Sequence, residues 1–91
     1  MVKDLLKFYQ WQKVLKYLQD CEIKQVIVYV SNLAKGINVT YSHTNNLVIA
    51  LKDKCLIVTE RDGRNLNIVL TSKGRRLSDC FKQAFVLMEL E

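Results

Sequence analysis

Proline is absent from this 91-residue chain, glycine occurs three times and histidine once. There is no low-complexity run, and 49% hydrophobic with 25% charged residues is a globular composition for one domain. Apolar runs are short, such as the five residues 26–30. A bilayer span needs about 20 such residues, so no membrane partner is expected. The opening MVKDLLKFYQWQ interleaves charge with apolar residues, unlike a secretion signal. The expected location is the cytoplasm. No glycine-rich phosphate loop and no carboxylate cluster appear. The single histidine, His43, is near only one cysteine in sequence, Cys55, so nucleophilic catalysis lacks its base. Neither an enzyme nor a bound cofactor is expected. Cys21, Cys55 and Cys80 form no CxxC pair, and a zinc site would need four distant positions. No metal is expected, and an odd thiol count inside a cell predicts free, buried cysteines, with an intersubunit disulfide through one of them as the alternative.

What the chain has is a positive balance, +5 from fourteen Lys and Arg against nine Asp and Glu. That excess suits a polyanionic partner. It is spread along the sequence with no basic tail, so placement must carry the argument.

Residues 1–20 alternate apolar positions with a narrow polar stripe of Lys3, Lys7, Gln10, Lys13, Lys16 and Asp20, which predicts a helix apolar on two sides. The β-branched run 26–30 predicts a short strand. Ser31 is a candidate N-cap for a brief helix, and Asn38 suits the left-handed turn that ends one. Thr40 is an N-cap candidate for a second, longer helix. Its Thr44, Leu47, Val48 and Leu51 share one face, while Tyr41, Ser42, Asn45 and Asn46 fall largely on the other. Two short helices joined tightly in this way predict a helix-turn-helix over 31–54. LIVTER and NLNIVLT read as strands of a hairpin over 56–71, with Asp62-Gly63 as a type I′ loop. On that register Arg61 and Arg64 lie opposite one another and repel. Thr71 caps a last helix over 72–91. The order helix, strand, helix, helix, hairpin, helix predicts one α+β winged helix-turn-helix domain over 1–91.

The string TYSHTNNLVIALKDKCLIVTERDGRNLNIVLTSKGRRL resembles the core of MarR-type and PadR-type winged-helix regulators. The likeness lies in Leu51, Leu56 and Ile57, in Asp62-Gly63-Arg64 at the wing, and in Leu70-Thr71-Ser72-Lys73-Gly74-Arg75 opening the last helix. Ser31-Asn32-Leu33-Ala34-Lys35 is similar to the first helix-turn-helix segment of those families. The resemblance covers roughly 26–77 and suggests a small member of archaeal, viral or plasmid type. Cys55 stands where those families have glycine, and a left-handed backbone there would cost about 1 kcal/mol. The chain is short for a MarR protein and leaves little room for that family's effector pocket.

This resemblance implies sequence-specific binding of double-stranded DNA by a homodimeric, nucleoid-associated transcriptional regulator, with the recognition helix in the major groove. The residues expected at DNA are Tyr41, Ser42, His43, Asn45 and Asn46 on that helix, Arg61 and Arg64 on the wing, and Lys73 and Arg75 at the start of the last helix. Asparagine is the side chain that reads adenine bidentately. A blander reading leaves the arginines as surface charges neutralised locally by Glu60 and Asp62. Both terminal helices are too apolar to stand exposed, so Leu5, Phe8, Trp11, Leu77, Cys80, Phe81, Ala84, Phe85 and Met88 are expected at a dimer interface, where a two-fold axis near Cys80 would allow a bridge. Two alternatives remain open. One is a winged helix that binds protein, and the other is a DNA-coating segregation protein with the same DNA-binding surface.

Overall fold

The computed structural model describes residues 2–89, with side chains described at 9–84, 86 and 87. Leu5, Phe8, Phe85 and Met88 lie outside the described side chains. Four helices and one hairpin follow in order: α1 (Val2–Ile23), α2 (Val30–Ile37), α3 (Tyr41–Asp53), β1 (Ile57–Asp62), β2 (Asn65–Leu70) and α4 (Ser72–Glu89). This is the expected α+β winged helix. No helix among the described residues is long and apolar enough to cross a membrane.

The centre of the core is α1. Val14 and Leu15, neighbours in sequence, are both fully buried. Adjacent helical residues point about 100° apart, so a helix that buries both is covered across a wide arc. The cover comes from α2, α3 and β2 together with α4, which packs along α1. Over its described length the second apolar side of α1 is therefore largely taken by the chain's own last helix. Leu33, Leu51, Ile57, Ile68 and Leu70 close the rest of the core.

All three helices before the wing end in the same way. Gln25, Asn38 and Cys55 have φ of 59°, 58° and 61°. In each case the next residue's N–H reaches back across the turn: Val26 to the Cys21 carbonyl, Val39 to Ala34 and Leu56 to Leu51. These are Schellman closures with an apolar residue after the left-handed one. None of the three uses the glycine that would adopt this backbone without strain.

Two expectations fail here. Residues 26–30 form no strand, because Val30 belongs to the buried stripe Val30, Leu33, Ala34 and Ile37 of α2. The chain must turn helical there, one residue ahead of Ser31, and Tyr29 takes the N-cap position. What survives of the strand is an isolated bridge between Tyr29 and Asn67 and one bond from Ile68 N–H to the Val28 carbonyl at 2.9 Å. The thiols form no disulfide within the chain, and they are not buried as expected: Cys55 and Cys80 are exposed and Cys21 is half-buried. Cys80 lies two places from the buried Ser78, which puts it on the opposite side of α4.

The left-handed Cys55 gives a direct test. Cys55→Gly should stabilise the protein by about 1 kcal/mol in urea denaturation, since it removes only a side chain from a left-handed site.

Candidate nucleic-acid interface

Thr40 caps α3 as its sequence suggests: its hydroxyl accepts from the His43 N–H at 3.2 Å, and its carbonyl accepts from the Thr44 hydroxyl at 2.8 Å. This fixes the helix's rotation. Thr44, Leu47, Val48 and Leu51 are buried, while Tyr41, Ser42, His43 and Asn46 are exposed and Asn45 is half-buried. The sorting agrees with the periodicity, but one exposed residue was missed. Ile49 is 51% exposed and lies three residues beyond Asn46 and four beyond Asn45. An isolated isoleucine on a polar helix face is suited to a thymine methyl. Helical spacing from Asn45 and Asn46 could have found it.

The wing corrects the expected register. Asp62 pairs with Asn65 and Arg61 with Leu66, so Gly63 and Arg64 are the loop. Gly63 alone of the two has positive φ, at 63°, the pattern of a type II′ turn rather than I′. Arg61 and Arg64 are not cross-strand neighbours, so the expected directly opposed pair is not formed. Among the described residues neither forms an ion pair with Glu60 or Asp62. The one ion pair among the described residues is Arg75 with Glu22 at 2.7 Å. The Asp62 carboxylate instead accepts from the Tyr29 hydroxyl at 3.1 Å. That hydrogen bond, helped by partial desolvation and the carboxylate's charge, raises the Tyr29 pKa above the usual phenol value.

The base of the wing is clamped. The Thr71 hydroxyl donates to the Cys55 carbonyl at 2.7 Å and accepts from the Gly74 N–H at 3.0 Å, while the Thr71 N–H donates to the Leu56 carbonyl at 3.1 Å. A Cβ on Gly74 would collide with that same Leu56 carbonyl oxygen. The Thr-x-x-Gly pattern is thus a cap and a close approach in one. Lys73 donates to the Lys54 carbonyl at 3.0 Å, and Arg75 is held by Glu22. Both expected phosphate contacts on α4 therefore have partners within the chain. Trp11, Leu77 and Phe81 pack half-buried on the chain's own core, while Cys80 and Ala84 are exposed.

This helix-turn-helix followed by a clamped hairpin matches solved structures closely. AF1382 from Archaeoglobus fulgidus superposes with a TM-score of 0.82 at 22% identity, over 87% of each chain. MepR, a transcription regulator of the Staphylococcus aureus multidrug efflux pump MepA, matches with a TM-score of 0.79 at 31% identity, over 88% of this chain and 58% of MepR. The S. aureus MepR–DNA complex matches with a TM-score of 0.81 at 30% identity, over 90% of this chain and 60% of that one. The fold is that of MarR-like winged-helix regulators. The likeness supports the MarR side of the sequence resemblance, and nothing in it speaks for PadR. No family model matches the sequence, and no curated protein does. The chain spans about three fifths of the length of the MepR structures.

The clamp predicts a sharp cost. Gly74→Ala should destabilise the protein by about 2 kcal/mol, because a carbonyl oxygen fixed by Thr71 cannot give way cheaply. Thermal or chemical unfolding reads this directly.

Proposed function

We propose that this protein is a DNA-binding transcriptional regulator that acts on double-stranded DNA as a homodimer. On this reading α3 enters the major groove, where Tyr41, Ser42, His43, Asn45 and Asn46 meet base edges and Ile49 meets a thymine methyl. The wing lies on the flanking minor groove or backbone through Arg61 and Arg64. The observation that carries the reading is this pair of exposed arginines, free of ion pairs among the described residues, on the wing of a fold shared at 30% identity with MepR in its DNA complex. Lys73 and Arg75 drop to a supporting role, since one donor of each is already engaged within the chain and the Arg75 charge is balanced by Glu22. MepR, named above, is a transcription regulator, which supports a regulator rather than an enzyme.

Homodimerisation is supported by exposed aliphatic residues late in α4, Val86 and Leu87, and by Tyr9 early in α1. A symmetric pair would bury them and present two recognition helices to successive major grooves. The alternative, a winged helix that binds protein, is favoured by a different surface. Ile23, Val26, Ile27, Val58 and Val69 are all exposed, and several line a shallow groove of about 220 Å³ beside β2.

Fluorescence anisotropy on a random-sequence duplex at several salt concentrations separates the two readings. Binding should weaken linearly on logarithmic axes. Replacing Arg61 and Arg64 together with alanine should reduce the slope by about 4 for the dimer, one per lost contact, while leaving the fold intact. An unchanged slope favours the protein-binding alternative. In sedimentation, Leu87→Glu should shift the dimer toward monomer, and a wild-type monomer at all concentrations would remove the dimer.

A further inference from the structure

Asp62 sits in an awkward place for a DNA-binding wing. It is the last residue of β1, exposed, directly after Arg61 and two places before Arg64. A free carboxylate there would oppose the phosphates that the arginines attract. Pairing with either arginine would remove that anion but also occupy the cation. The chain does neither: Asp62 is bonded to Tyr29, 33 residues away in sequence.

Tyr29 is well held for this purpose. Its N–H donates to the Asn32 side-chain oxygen at 3.4 Å, and its carbonyl accepts from the Leu33 N–H at 3.0 Å in the first turn of α2. On its other side it bridges Asn67 of β2, beside the bond from Ile68 to Val28. The phenol therefore extends from the junction of the helix-turn-helix and the wing, and ends on the wing's tip.

We propose that Tyr29 is a positioning residue for DNA binding: its hydroxyl holds the Asp62 carboxylate on the flank of the wing, leaving Arg61 and Arg64 free for phosphate. This rests on the DNA-binding reading and deepens it. The benefit lies in charge placement more than in stability, because a hydrogen bond between exposed groups adds little to folding.

A cycle of four proteins tests it: wild type, Tyr29→Phe, Asp62→Asn and the double variant, titrated on one duplex at one moderate salt concentration, with melting temperatures recorded. Tyr29→Phe should weaken binding about two- to fivefold, the range of a single exposed ionic contact, with melting unchanged. Asp62→Asn should bind at least as tightly as wild type. In the Asp62→Asn background, Tyr29→Phe should have no further effect. Equal losses in both backgrounds would make Tyr29 a direct contact or a merely structural residue and overturn the proposal, as would full affinity in Tyr29→Phe alone. A wild-type protein that does not bind duplex at low salt overturns the DNA-binding reading itself, and so is distinct from a wild type that binds with a flat cycle.

Discussion

The wing depends on the joint between the end of α3 and the start of α4. A hairpin of two six-residue strands is marginal alone in water. Here its two ends are tied: Cys55 turns left-handed so that Leu56 can close on Leu51, and Thr71 then bonds both the Cys55 and Leu56 carbonyls. Gly74 is the residue that lets α4 approach this closely. With its ends pinned and Ile57, Ile68 and Leu70 buried, the hairpin can only project as a wing, and its tip is carried at a fixed distance from α3. The strain at Cys55 is the counterpart of that geometry, offset by the carbonyl bonds which the left-handed turn makes available.

Much of this was legible in the sequence because it is local. Thr40 and Thr71 as caps, Asn38 as a left-handed terminator and the buried stripe of α3 are short-range chemistry, and each has the predicted place. What failed was decided at longer range. Residues 26–30 have strand composition, yet the core needs Val30 on a helix, so tertiary packing overrides propensity. In the hairpin, Asp62-Gly63 and Gly63-Arg64 are both acceptable loops, and a shift by one residue changes every cross-strand neighbour. Moving the loop by one residue shifts every pair by two, so Ile57, Ile68 and Leu70 share a face in both registers and the alternation in the sequence does not choose between them. At the candidate site, the α3 face could be read from periodicity, whereas the internal partners of Lys73 and Arg75 could not, since Lys54 and Glu22 come near them only in the folded chain.

These long-range contacts change how the net charge should be understood. An excess of +5 is modest and evenly distributed along the sequence. Folding redistributes it by occupying carboxylates: Glu22 with Arg75, Asp79 with the Gln19 amide at 3.0 Å, and Asp62 with Tyr29. Two of these three partners are neutral, so they hold an anion without consuming a cation. The wing arginines form no ion pair among the described residues, although acidic residues lie within two positions of each in sequence. For a small basic domain, affinity for a polyanion then depends less on how many cations the chain carries than on which of them the fold leaves without an ion-pair partner.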